Sequence, residues 1–155
     1  MAANEKTGNV NTGTLNTGSP GNGVQQRHSI LYFDVDSSLY QIVSCYLNLT
    51  KFKVVASLKA ADVLHKLDRQ KFSCLVLAPD SDSEIDLILS GSSGRDSLNH
   101  ATPIVIIAPA DKILNVEESH KHRINGVVKK PFKLSQLHQT LLAAMNGVGS
   151  SPNGV

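Results

Sequence analysis

The chain has 155 residues, 41% of them hydrophobic, with 15 basic against 13 acidic side chains and a formal charge of +2. That length suits one domain of ordinary size, and without the roughly 18-residue apolar run of a membrane span or the apolar stretch of a secretory signal it predicts a soluble, cytoplasmic protein with no membrane insertion. The near-neutral charge offers no broad basic field for nucleic acid, and two cysteines, Cys45 and Cys74, without CxxC spacing argue against a disulfide scaffold or a cysteine zinc site.

Residues 1–27 hold no aromatic side chain and are dominated by Asn, Gly and Thr, with an echo of Asn11-Thr12-Gly13 in Asn16-Thr17-Gly18. They cannot bury enough apolar surface to offset their ordering entropy, so a disordered tail is expected. The composition changes at Ser29, and Ile30-Leu31-Tyr32-Phe33 reads as a first strand. Leu39, Ile42, Val43, Tyr46 and Leu47 then share one helical face. A strand over 52–56 follows, then a helix that presents Ala60, Val63, Leu64 and Leu67. Cys74-Leu75-Val76-Leu77-Ala78 is apolar at every position, as in a strand covered on both faces. Ile85, Ile88 and Leu89 begin a helix that Gly91 and Gly94 end early, and a fourth apolar strand spans 103–107. Ile113, Leu114 and Val116 predict a short helix ahead of the charged stretch 117–123. A fifth strand over 126–129 and a helix with Leu134, Leu137, Leu141, Leu142 and Met145 complete the domain, set at 28–146, before a second expected disordered tail at 147–155.

Strict alternation of strands and helices implies an α/β fold with a central parallel sheet, because right-handed crossovers place helices on both faces. Five strands in the flavodoxin-like order 2-1-3-4-5 are the most economical arrangement. In such sheets chemistry gathers at the carboxyl ends of the strands. Those ends are Asp34, Val35 and Asp36; Ala78 and the residues to Asp82; Ala108 and Pro109; and Lys130-Pro131.

Two of these ends, Ile30-Leu31-Tyr32-Phe33-Asp34 and Val127-Val128-Lys129-Lys130-Pro131-Phe132, resemble the first and last strand motifs of response-regulator receiver domains, the CheY-like phosphoryl-accepting modules of two-component signalling. The resemblance spans 29–145. It implies a nucleophilic carboxylate after strand three, two acids after strand one that help hold Mg²⁺, a hydroxyl after strand four and a lysine after strand five. Hard oxygen ligands for magnesium and positive charge for the phosphoryl group are the physical reasons for that set.

The chain departs from the pattern at most of these positions. The nucleophile position falls on Ala78, the second acid on Val35, the hydroxyl on Ala108 and the aromatic switch of strand five on Val127. Asp34, Lys130 and Pro131 remain, and Asp36 could compensate in part if its loop bends inward. Losing the machinery together implies a phosphorylation-independent pseudo-receiver with no catalytic residues, no metal and no need of Mg²⁺.

Several features have plainer readings. Asp80 and Asp82 read as solvated loop acids, with a shifted acceptor among them as the alternative. Asp34 is expected to neighbour a helix N-terminus or to pair with Lys130 across adjacent strand ends, and the Lys130-Pro131 bond resembles the cis peptide of the receiver family. His120 and His122, two apart on a helix, point to different sides and read as a solvated charged face. Gly91-Ser92-Ser93-Gly94 lacks the spacing of a phosphate loop.

Three functions follow as expectations. The first is a non-enzymatic interaction module that docks a signalling protein, a histidine kinase or a downstream effector, through the face on which the resemblance places Lys112, Asn115, Glu118, Lys129, Lys133 and Gln136. The second is a phosphorelay receiver that uses Asp80 or Asp82. The third is a flavodoxin-like ligand-binding protein.

Overall fold

The computed structural model describes residues 28–147. Apart from Gly147, both predicted tails lie outside the described residues. Strands β1 (His28–Asp34), β2 (Phe52–Ser57), β3 (Cys74–Ala78), β4 (Ile104–Ala108) and β5 (Ile124–Lys129) alternate with helices α1 (Ser37–Leu49), α2 (Ala60–Arg69), α3 (Asp82–Ser92), α4 (Glu118–Lys121) and α5 (Leu134–Met145). All strand pairings are parallel, in the order 2-1-3-4-5.

Every residue of β3 and β4 is buried, so both sheet faces need helical cover. Side-chain alternation along the strands divides the core in two. Leu31, Phe33, Leu75, Leu77, Ile104 and Ile106 meet Val63 and Leu67 of α2 and Ile85, Ile88 and Leu89 of α3. On the other face Ile30, Tyr32, Val76, Val105 and Ile107 meet Val43 and Leu47 of α1 and Leu137 and Leu141 of α5. Each such fully buried aliphatic side chain contributes about 1.5–3 kcal/mol.

Two residues assigned to buried helical faces lie outside them: Ile42 is 56% exposed and Leu142 is 41% exposed. Each helix touches the sheet along a narrow stripe, Val43 with Leu47 and Leu137 with Leu141, that leaves these neighbours at its rim. Helix α3 runs through Gly91 and ends at Ser92. A Cβ at Gly91 would stand 2.3 Å from Leu64 Cδ2, so glycine here allows α3 to lie close against α2.

The helix expected around 113–116 does not form, and α4 is a single turn within the charged stretch. Backbone N–H groups of this segment are claimed by carboxylates of α3. Asp82 accepts from Asn115 at 3.2 Å and Asp86 from Glu117 at 3.0 Å. Amides engaged this way are not available for i−4 helical bonds. The segment becomes a strap that packs Leu114 and Val116 against the core while Ile113 stays 84% exposed.

A buried side chain ties the opposite end of the sheet together. Asn99 Oδ1 accepts from the Phe72 N–H at 2.8 Å and from the Thr102 hydroxyl at 3.0 Å, while its amide donates to Leu67 O at 2.9 Å and Gln70 O at 2.8 Å. Asn99→Ala leaves these groups unpaired out of water, and a loss of about 3 kcal/mol in urea unfolding is expected. Lys51, just past α1, has φ of 76°. Only glycine takes that conformation without a Cβ penalty, so Lys51→Gly should raise stability by about 0.5–1 kcal/mol in the same assay.

Candidate functional site

The carboxyl edge of the sheet is organised by Asp34, the last residue of β1, which is fully buried and in register with Ala78 at the end of β3. Residues two apart on a strand share a face, so Tyr32 reaches the same carboxylate. Its hydroxyl donates to Asp34 Oδ2, and the Asp36 N–H donates to Oδ1 at 2.8 Å. Asp36 turns toward α1 as its N-cap, its Oδ1 accepting the N–H groups of Ser38 at 2.9 Å and Leu39 at 3.2 Å. Val35 between them is 42% exposed.

Burial is the main influence on Asp34 and holds its pKa above the usual carboxylate range. The Tyr32 hydroxyl, the Asp36 N–H and the charge of Lys130 offset this in part, and the Asp36 charge adds to it. The Tyr32 phenol is pushed up, first by burial and then by its bond to Asp34 and the charges of Asp34 and Asp36.

The expected ion pair between Asp34 and Lys130 does not form: among the described residues no cation lies within 4.0 Å of the Asp34 carboxylate. The physical reason is the strand order. β1 and β5 are not adjacent, since β3 and β4 stand between them. Lys130 acts on Asp34 only through longer-range charge. The Lys130-Pro131 peptide is cis, and the Lys130 N–H bonds Ala108 O at 2.8 Å.

The remaining strand-end residues fall where the sequence placed them. Ala78 and Ala108 are buried at the ends of β3 and β4, and Ala108 is in register with Lys129. Val127 packs half-buried against the core. Asp80 is exposed beyond Pro79, with its N–H on Glu84 Oε1 at 2.9 Å. Asp82 is not the solvated loop acid expected. It opens α3, accepts the Asn115 N–H and pairs with Lys112 at 3.7 Å, because the strap folds down onto it. Of the candidate interaction face, Asn115, Glu118, Lys129, Lys133 and Gln136 are exposed, while Lys112 is half-buried and its carbonyl accepts from Lys129 Nζ at 2.9 Å.

The two histidines diverge as their spacing requires, but His120 is not solvated. It is buried, with Nδ1 at 2.9 Å from Asp86 Oδ1 and Nε2 at 3.4 Å from Ser90 Oγ, because α4 seats it against α3; His122 is exposed. Burial alone would raise the Asp86 pKa, yet its bonds from His120 and the Glu117 N–H, with the His120 charge, bring it below the usual range. Tyr32 is the residue that sequence reasoning passed over. Its signal was a phenol two residues before Asp34 in the otherwise hydrocarbon run from Ile30 to Phe33.

Magnesium demands near-octahedral oxygen ligation. Here both Asp34 oxygens already accept hydrogen bonds, Asp36 caps a helix, and Val35 and Ala78 bring hydrocarbon. The described residues contain no group of three or more His, Cys, Asp or Glu placed to hold a metal ion. This donor set does not fit the ion.

No family model matches the sequence, and no curated protein does. Solved structures do. The chain is similar to the receiver domain of a sensor histidine kinase from Pseudomonas aeruginosa, solved with magnesium coordinated in its active-site cleft (13% identity, 77% of this chain and 98% of that one, TM-score 0.60). It is also similar to the chemotaxis response regulator CheY4 of Vibrio cholerae (18%, 76% and 98%, TM-score 0.61) and to a CheY-like receiver domain protein of Methanospirillum hungatei (18%, 77% and 95%, TM-score 0.63). The fold is therefore that of response-regulator receiver domains. Among the described residues no helix is long and apolar enough to cross a membrane.

The raised pKa of Asp34 has a measurable consequence. A carboxylate that protonates more readily when folded stabilises fully below its unfolded value of about 3.9 and loses that contribution as pH rises through the folded value. Asp34→Asn abolishes the titration while keeping an oxygen for the Asp36 N–H and presenting an amide that can donate to the Tyr32 hydroxyl oxygen. The unfolding free energy of the variant relative to wild type should therefore climb as pH rises above the unfolded value of about 3.9, and a flat difference would refute the assignment. Asp86, with its lowered pKa, contributes in the opposite sense and cancels in this comparison.

Proposed function

We propose that this chain is a pseudo-receiver, a non-enzymatic module of two-component-type signalling that binds partner proteins without taking up a phosphoryl group. The observation that carries the reading is Ala78 at the end of β3, in register beside Asp34. Phosphoryl transfer to a receiver needs a carboxylate oxygen as nucleophile and positive charge to neutralise the transferring group. A methyl group supplies neither, the Ala108 methyl offers no hydroxyl, and Val127 gives no aromatic ring to rotate. Asp34 ends the adjoining strand with both its oxygens engaged, and Asp36 beyond it caps α1. Mg²⁺ has no role in this reading. The displaced-acceptor reading is weakened at Asp82, whose carboxylate holds the strap.

The partner in this reading is a signalling protein, a histidine kinase or a downstream effector, met in a cytoplasmic setting. The contact face comprises Asn115, Glu118, Lys129, Lys133 and Gln136, flanked by Lys112. Without a covalent signal, any change of state comes from a partner that prefers one conformation.

Two measurements test this. Incubation of the full chain with acetyl phosphate and Mg²⁺ should leave its intact mass unchanged, and beryllofluoride should leave its backbone NMR shifts in place; a phosphoryl adduct on Asp80 or Asp82 would overturn the proposal. A partner retrieved from native lysate by the full chain should be retained about tenfold less by a Lys129→Glu, Lys133→Glu double variant of unchanged fold. Equal retention would remove the proposed face.

A further inference from the structure

Arg123 immediately precedes β5, at the end of the sheet opposite Asp34. Its guanidinium is half-buried, with Nη1 on Leu89 O at 3.3 Å and Ser92 Oγ at 3.0 Å, and Nη2 on Asn99 O at 3.0 Å. All three acceptors are neutral. Among the described residues no carboxylate pairs with it, and burial lowers its pKa with no acidic neighbour offsetting the effect. Charges withdrawn from water are ordinarily matched by an opposite charge.

Arg123 lines a half-open cavity of about 530 Å³ whose wall contains no Asp or Glu. That volume falls within the range of small-molecule sites and exceeds what a bare inorganic anion needs. Three of the five guanidinium N–H groups are used, which leaves two. His100 engages Ser97 O through Nδ1 and keeps Nε2 free, His122 is exposed, and Asn125 spends its oxygen on the Ile104 N–H and keeps its amide donors. His120 also lines the cavity, but both its nitrogens are committed, to Asp86 and Ser90, so it serves as wall.

We propose that this cavity binds a small phosphorylated molecule, with its phosphate dianion matched to Arg123 and further bonded by His100, His122 and Asn125. Arginine suits this role because its planar fork fits phosphate oxygens while its remaining N–H groups stay fixed to the fold. The site is independent of the carboxyl edge and of the pseudo-receiver reading.

The test is NMR titration of the ¹⁵N-labelled full chain with inorganic phosphate and with adenosine monophosphate, using sodium chloride as the ionic-strength control. Saturable shifts confined to residues 97–102 and 119–125 are expected, with the phosphomonoester bound more tightly than inorganic phosphate. Arg123→Gln should abolish them. Because Arg123 also holds Leu89, Ser92 and Asn99, a His100→Ala, His122→Ala double variant at exposed positions provides the arm in which the fold is kept. Its affinity should fall about fivefold or more, the equivalent of one lost hydrogen bond. Shifts reproduced by chloride, absence of saturation with either probe, or undiminished affinity in the double histidine variant would each overturn the site.

Discussion

Both faces of β3 and β4 are withdrawn from water, which obliges α1 and α5 to cover one face of the sheet and α2 and α3 the other. A parallel sheet satisfies that demand by sending the chain over alternate faces, so every β-to-α connection emerges at the same edge. Asp34, Ala78, Ala108 and Lys130 are set along one edge by this constraint alone. Their common edge is a property of the fold, and the chemistry available there depends on what the four positions hold.

A buried carboxylate is tolerated only when its oxygens find donors, since the uncompensated charge costs several kcal/mol. At Asp34 the donors are a phenol from the same strand and a backbone amide from the turn into α1. Neither brings a full positive charge, which is why burial still outweighs them and the carboxyl holds its proton more strongly than usual. Asp36 takes part twice: its N–H orients Asp34 and its carboxylate starts α1. The edge thus forms a closed set of internal bonds, with hydrocarbon at Val35 and Ala78 on either side.

The central strands β3 and β4 were legible because their apolar runs are short, uninterrupted and bounded by polar turns, and the register places Ala78 beside Asp34 as the strand alignment required. Three readings failed, the first because it ignored the strand order already inferred and the other two for reasons that no local pattern encodes. Asp34 and Lys130 were expected to meet, but the order 2-1-3-4-5 sets two strands between them. Ile113, Leu114 and Val116 fit a helical face, yet the backbone there answers to carboxylates some thirty positions earlier in the chain. His120 looked like one charge among several and is instead a buried partner of Asp86. Tyr32 shows the converse: its ring belongs to the core as the pattern implies, and only its hydroxyl has a second task.

The acids of α3 bear on function more than their solvated appearance in sequence implies. Asp82 and Asp86 hold Asn115, Glu117, Lys112 and His120, so one helix fixes the whole connection between β4 and β5. The same bonds account for an α4 of one turn, since they remove the amides a longer helix would use. They also fix the position of Asn115 and Lys112 on the proposed contact face independently of events at Asp34. A surface held by α3 in this manner suits recognition in one standing conformation, and a partner that required the strap to move would have to replace two backbone bonds, an ion pair and the His120 contact to do so.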